Sequence, residues 1–243
     1  MAELIIGRNA VLEALKSNRE IEKITVARGA EGSVKQIVAK AKDKKIPIYY
    51  SEKSRMDKAA SGGTHQGVMA VVSDYEYCSV DDILAKAAER GEQPFILLLD
   101  GLEDPHNLGA IMRTAECAGV HGIIIPKRRS VSVTETVAKT SAGAVEYMLC
   151  AKVTNIASEI DKLKAKGIWI GACDMGDQTY WQQDLTGPIG LVVGGEGSGV
   201  SRLVREKCDF VVSIPMVGNI TSLNASNAAS ILMYEAVRQR MVK

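Results

Sequence analysis

The sequence predicts an α/β protein: a parallel sheet covered by helices on both faces, preceded by a small α/β domain. Three observations predict it. After Phe95, short runs of Ile, Val and Leu alternate with segments of helical periodicity, as expected for strands buried on both faces. Residues 1–72 carry five more cations than anions, whereas residues 73–93 carry four more anions than cations. Gly91-Glu-Gln-Pro94 then breaks every periodicity. The expected organisation is a basic domain over 1–72, a linker with a short helix over 73–93, and a larger domain over 94–243.

In chain order, residues 8–15 place apolar side chains at helical spacing, 24–27 read as a strand, and 33–42 read as a helix with Ser33 suited to cap it. Strand-like segments 46–50 and 67–72 flank the glycine-rich loop Ser61-Gly-Gly-Thr-His-Gln-Gly67. Ser79, with Asp82 three residues on, has the form of a capping box opening a helix over 80–90. In the larger domain, strands are expected at 95–99, 122–126, 148–153, 168–173, 189–193 and 210–214. Helices are expected between them at 107–117, 133–141, 155–166, 201–207 and 223–241.

Composition narrows the function classes. Of 243 residues, 46% are hydrophobic and 24% charged, so the chain can bury a core, and with 5% aromatics that core must be aliphatic. No apolar run is longer than that of residues 95–99, far short of the roughly 20 residues that cross a bilayer. The N-terminus lacks the pattern of a secretory leader. Cys78, Cys117, Cys150, Cys173 and Cys208 are odd in number and form no C-x-x-C pair, and none pairs at ligand spacing with His65, His106 or His121. A cytoplasmic protein with reduced thiols, no metal and no membrane contact is expected. The basic front domain points to a polyanionic partner, although a solvated lysine-rich face accounts for it equally well.

In an open α/β sheet, ligands bind beyond the carboxyl ends of the strands. Three unusual loops fall there. One is Asp100-Gly-Leu-Glu-Asp-Pro-His-Asn-Leu-Gly, running on through Arg113 to Ala115; the second is Gly194-Gly-Glu-Gly-Ser-Gly199; the third runs from Ile214 through Asn224 into the last helix. The second loop fails the dinucleotide fingerprint, because Gly195 and Gly197 would require glycine where Val200 stands. No P-loop is present either. What remains is a backbone-lined loop that lets a flat ligand approach closely, with Glu196 at its centre. Lys127-Arg-Arg-Ser130 is a basic turn at the end of another strand, suited to phosphate contact.

Together these loops resemble one family. Asp104-Pro-His-Asn107, Gly109, Ile111 and Arg113-Thr-Ala115 look like its first motif, Gly194–Gly199 its second, and Ile214-Pro-Met216, Gly218, Ser222-Leu-Asn224 and Ser226 its third. The family is the SPOUT class of trefoil-knot RNA methyltransferases, in its ribose 2′-O-methyltransferase branch. The segments Gly7-Arg-Asn-Ala-Val-Leu-Glu-Ala-Leu15 and Thr64-His-Gln-Gly-Val68 also resemble the RNA-binding extension of the enzymes that modify guanosine in 23S ribosomal RNA. Ala225 and Asn227 depart from the pattern, where the family more often has apolar residues.

The resemblance implies a deep trefoil knot near residues 190–225, a homodimer, and S-adenosylmethionine bound by Gly194, Gly195, Glu196, Gly197, Ile214, Met216, Ser222 and Leu223. It implies methyl transfer to a ribose 2′-hydroxyl served by Asn107, Arg113, Glu196, Ser222 and Asn224. Within it, Asn107 would hold Arg113 or the ribose in place, and backbone groups of Gly195, Ile214, Met216 and Leu223 would read the adenosine. The expected substrate is a guanosine in 23S ribosomal RNA. The alternatives are a tRNA ribose methyltransferase and a non-catalytic ribosome-assembly protein of the same fold. Single residues also admit plainer roles: Asn107 as a helix cap, Ser222 and Asn224 as caps of the last helix, Arg113 as a surface ion-pair partner, and His65 as a turn residue.

Overall fold

The computed structural model describes residues 2–16, 20–73, 75–176, 178–197 and 199–241. The chain divides into two compact units, Met1–Glu76 and Tyr77–Lys243.

The first unit runs β1 (Ala2–Ile6), α1 (Arg8–Lys16), β2 (Ile21–Ala27), α2 (Val34–Asp43), β3 (Ile48–Ser51), α3 (Lys53–Ala59) and β4 (Val68–Ser73). Its sheet has the order β1-β4-β2-β3, antiparallel except for the β2–β3 pair. α1 and α2 bury Val11, Leu15, Val34 and Ile37 against Ile24, Val26, Val68 and Val72 of the sheet. Two elements escape the sequence reading. β1 is a short terminal segment whose pairing with β4 is entirely non-local, and α3 buries only Met56, too little to show a periodicity. Ser33 occupies the cap position of α2 but in helical conformation, and it makes no capping bond. Its hydroxyl instead accepts a hydrogen bond from Arg8 Nη1 at 3.4 Å.

The second unit opens with α4 (Val80–Glu89), where Ser79 and Asp82 form the expected reciprocal capping box. There follow β5 (Phe95–Asp100), α5 (Pro105–Cys117), β6 (Gly122–Pro126), α6 (Glu135–Thr140), β7 (Leu149–Val153), α7 (Ile156–Ala165), β8 (Trp169–Cys173), β9 (Ile189–Gly194), α8 (Arg202–Lys207), β10 (Phe210–Val212) and α9 (Ala225–Met241). All six strands are parallel, in the order β10-β8-β9-β5-β6-β7. Residues of the central strands β5, β6 and β9 are nearly all buried, which explains their unbroken aliphatic runs, while β7, β8 and β10 are partly exposed. From β5 the chain steps outward to β6 and β7, whereas β9 leads to β10 on the opposite side. The carboxyl ends of β5 and β9 are therefore a topological switch point, where a crevice opens between loops leaving in opposite directions.

α4 belongs to the core of this unit. Ile83 is fully buried among Ile96, Ile124 and Ile160, and it fills the space beside Gly122, where an added Cβ would lie 2.5 Å from Ile83 Cγ1. Lys86 Nζ donates to the Tyr147 carbonyl at 3.0 Å, and Lys166 pairs with Asp81.

α9 is anchored at its far end. The Arg240 guanidinium donates to the carbonyls of Gln93, Pro94, Leu185 and Gly187 and lies 4.8 Å from the Phe95 ring centroid. These acceptors precede β5 and β9 at the amino edge of the sheet.

Ile83→Ala is expected to destabilise the protein by about 2–4 kcal/mol, the range for truncating a buried aliphatic side chain. Urea unfolding followed by tryptophan fluorescence checks this, since Trp169 and Trp181 both lie in the second unit. An unchanged midpoint would show that α4 is a detached connection.

Candidate active site

The site is built from three loops at the switch point. The β9 loop lies directly against the β5 loop: Gly195 N donates to the Asp100 carbonyl at 2.9 Å, and Ser201 N donates to Asp100 Oδ2 at 2.8 Å. This approach leaves no room for a side chain. A Cβ on Gly195 would lie 2.3 Å from the Gly101 carbonyl oxygen, and one on Gly194 would lie 2.0 Å from the Gly199 carbonyl carbon. Gly197 differs: its φ is +80° and the space beside it is open. Ser198 lies outside the described residues.

α5 begins two residues earlier than its periodicity suggests. Asp104 is the cap, accepting from His106 N at 2.9 Å, and Pro105 occupies the first turn, where its missing N–H costs nothing. Asn107 is thereby freed from capping. Only 5% exposed, it donates from Nδ2 to Glu196 Oε1 at 2.8 Å and accepts at Oδ1 from Asn224 Nδ2 at 3.0 Å. Asn224 Nδ2 also reaches Glu196 Oε1 at 2.7 Å. Asn107, Glu196 and Asn224 thus close a triangle across residues 89 and 117 positions apart. Asn224 caps α9 as well, since its Oδ1 accepts from Ser226 N at 3.0 Å and Ser226 Oγ at 2.6 Å. The capping role considered for this residue is thus present beside its bonds to Asn107 and Glu196.

The remaining expected residues stand elsewhere. Ser222 is exposed in the loop before α9 and is not part of the triangle. Arg113 is exposed on α5, six residues beyond Asn107 and so about 240° around the helix. The expected Asn107–Arg113 partnership is therefore replaced by the triangle, because a helix cannot turn both side chains to one spot at that spacing. Gly195 spends both its N–H and its carbonyl within the chain, the latter accepting from Gly199 N at 3.1 Å. Ile214 is half-buried, and Met216 and Leu223 expose 37% and 40% of their surface, leaving apolar area in the third loop for a ligand.

Sequence reasoning passed over two groups. Asp100, an acidic residue closing an apolar strand, ties the β5 and β9 loops together; its one signal is that abrupt change of polarity. Lys152 holds the basic turn. Its Nζ donates to Ser132 Oγ at 2.7 Å and lies 4.3 Å from the Tyr77 ring centroid, while the Tyr77 hydroxyl accepts from Val133 N at 2.7 Å. Val131 N donates to the Leu102 carbonyl, also at 2.7 Å, so exposed Lys127, Arg128 and Arg129 sit on a turn pinned to the β5 loop. Burial pushes the Lys152 amine down to about 7. His65 has the turn role, with Nδ1 accepting from Gly67 N and Nε2 facing Asp57 Oδ1, each at 2.9 Å.

Comparison with known proteins bears directly on this geometry. A family model described as the SpoU rRNA methylase family matches residues 94–234, which contain all three loops. The chain belongs to the SpoU rRNA methylase family. A second model, described as RNA 2′-O ribose methyltransferase substrate binding, matches residues 4–78. The SpoU-family chain is 48% identical over 240 residues to YacO of Bacillus subtilis (strain 168), assigned to the TrmH family of tRNA/rRNA methyltransferases, covering 98% of this chain and 96% of that one. A Staphylococcus aureus (strain MSSA476) protein with the same family assignment is 46% identical over 239 residues, with the same coverage. Among solved structures, the SpoU methyltransferase AviRb from Streptomyces viridochromogenes in complex with AdoMet matches all of this chain and 92% of its own, with a TM-score of 0.64 at 26% identity. The A. aeolicus TrmH/SpoU tRNA modifying enzyme matches 62% of this chain and 77% of its own, with a TM-score of 0.56 at 30% identity.

Two measurements test the site. Glu196→Ala removes the acceptor for two amide groups, one of them on buried Asn107, and is expected to cost about 1–3 kcal/mol. A cycle with Asn107→Ala should show coupling of about 0.5–3 kcal/mol, whereas simple additivity in urea unfolding would mean the triangle does not hold in solution. Lys152 makes stability depend on pH. Its folded-state value near 7 lies below the roughly 10.4 of an unfolded lysine, so the unfolded chain binds more protons between them and stability rises with pH. Unfolding midpoints should climb from pH 6.5 to pH 8.5 and stay flatter in Lys152→Met. Equal slopes would remove Lys152 as the cause.

Proposed function

We propose that this chain transfers a methyl group from S-adenosylmethionine to the ribose 2′-hydroxyl of a guanosine in 23S ribosomal RNA, acting in the cytoplasm as a homodimer. The observation that carries the reading is the Asn107–Glu196–Asn224 triangle: three polar side chains from three distant loops, fixed together at the switch point of the sheet. A protein that only bound RNA would have no use for such a constellation.

The residues present fit the cofactor. Open space beside Gly197, exposed apolar Met216 and Leu223, and the polar triangle offer a flat approach, an apolar face and hydrogen-bonding groups to a nucleoside. S-adenosylmethionine supplies an electrophilic methyl on a sulfonium centre. The chain must then position the hydroxyl and take up the charge that develops on its oxygen. A guanidinium remains charged wherever proteins are folded, so Arg113 serves as a donor to phosphate or to the developing alkoxide and not as a base. Asn107 and Asn224 hold Glu196 in one orientation, and the carboxylate fixes the reacting group within the pocket. The knot implied by the family resemblance is part of the same reading; what supports it is the tight seating of the β9 loop on the β5 loop and the return of Asn224 to both.

Support for a homodimer comes from the third loop and α9. Val217 is fully exposed, Ile220 is 76% exposed, and Tyr234 is half exposed, more apolar surface than water favours. Arg113 stands on the exposed face of α5, the helix that packs on α9, so a second copy there would bring an Arg113 toward the pocket of its partner. Ribosomal RNA is preferred over tRNA because the family model that matches residues 94–234 is described as an rRNA methylase family, whereas the A. aeolicus tRNA modifying enzyme matches 62% of the chain.

Tritiated S-adenosylmethionine offered with separate 23S, 16S and tRNA pools tests the reading. Label is expected in 23S RNA, on a guanosine that resists alkaline cleavage at its 3′ side. Label confined to tRNA would overturn the target, and no transfer to any pool would overturn the activity. Arg113→Ala should slow transfer by about 10²–10⁴ while leaving cofactor affinity and unfolding unchanged.

A further inference from the structure

The first unit contains a cavity of about 890 Å³, and every residue lining it belongs to that unit. It lies within the range of about 300–1,000 Å³ that holds small ligands. We propose that this cavity receives a single unpaired nucleotide of the RNA substrate. The inference rests on the methyltransferase reading above and names the form of RNA that the first unit recognises.

The wall is braced. His65, 3% exposed, accepts from Gly67 N at Nδ1 and so carries its proton on Nε2, toward Asp57. That bond fixes Gln66 in left-handed conformation, with φ +51°. Gln66 in turn grips Arg8: its carbonyl accepts from Arg8 Nε at 2.9 Å, and its Oε1 accepts from Arg8 N at 3.1 Å. Arg8 Nη1 reaches Ser33 Oγ at 3.4 Å. The guanidinium is therefore held rigid on the cavity wall, and among the described residues its Nη2 bonds no protein atom. A cation fixed before the ligand arrives loses little freedom on binding.

The rest of the lining is mixed in a way that excludes simpler occupants. Arg28 and Lys53 add two exposed cations, and Glu31 and Asn9 add a carboxylate and an amide. A bare phosphate sink would not carry Glu31. An apolar ligand would find few side chains to cover it. Gly29, with positive φ and open space beside it, exposes flat backbone. Cations for a phosphate, a carboxylate and an amide for a base edge, and flat backbone for a base face describe a nucleotide. The concave shape selects an unpaired one, since a duplex offers its phosphates on a convex surface and hides its base edges.

The test uses the full chain and two RNA hairpins, one carrying a single bulged 2-aminopurine nucleotide and the other fully paired. The bulged hairpin should bind about tenfold tighter or better, with a change in 2-aminopurine fluorescence on binding, as expected for charge-assisted contacts. Lys53→Ala and Asn9→Ala, both exposed, should each remove much of that preference and change paired-hairpin affinity less than about twofold. S-adenosylmethionine affinity should stay constant, confirming that the second unit is intact. Equal affinity for the two hairpins, or variants that keep the full preference, overturns the proposal. Displacement of the bulged hairpin by micromolar guanosine monophosphate also overturns it, in favour of a free-nucleotide site. Methyl transfer to bulk RNA by the same preparation is scored separately: bulge preference without transfer would sink the enzyme reading and leave this one standing.

Discussion

Everything at the site depends on two loops approaching more closely than side chains allow. The bond from Gly195 N to the Asp100 carbonyl joins the ends of two adjacent parallel strands, and no residue but glycine fits at 194 or 195. That seating sets Glu196 above the first turn of α5, where Asn107 meets it. It also leaves Glu196 Oε1 where the start of α9 can reach it through Asn224. A Cβ at Gly195 would overlap a backbone carbonyl, not a flexible side chain, so the loop would have to lift and the three side chains would part. The glycine-rich segment thus gives geometry first, and open space remains beside Gly197.

The two units solve different problems with different sheets. The second uses continuous aliphatic strands and places its polar chemistry where those strands end. The first has a mostly antiparallel sheet and builds a polar cavity out of turns, using a buried histidine with one fixed tautomer as its brace.

Much of this was legible in the sequence, and the gaps have physical causes. The parallel sheet could be read because burial on both faces keeps β5 up to Leu99, β6 and β9 free of polar side chains. The three loops could be read because their positions after strands make them ligand-facing. The pairing of Asn107 with Glu196 and Asn224, in place of Arg113, could not: it depends on strand order, which local periodicity does not encode. Periodicity places the start of α5 two residues late because Pro105 and His106 add no apolar repeat, although a proline just after a capping aspartate opens a helix. β1 and α3 carry too few buried side chains to register as patterns. Ser33 has the right residue type for a cap and a different use, because Arg8 competes for its hydroxyl.

The anchoring of α9 has a consequence for how the molecule is made. Asn224 at one end of this helix completes the triangle, and Arg240 near the other end holds the helix to the bases of β5 and β9. A nascent chain emerging from the ribosome can form the first unit and most of the second sheet before either residue is available. The triangle, however, lacks its third corner until Asn224 has cleared the exit tunnel, and α9 lacks its tie to the sheet until Arg240 has followed. The three loops are thus joined only after every strand of the second sheet has been made.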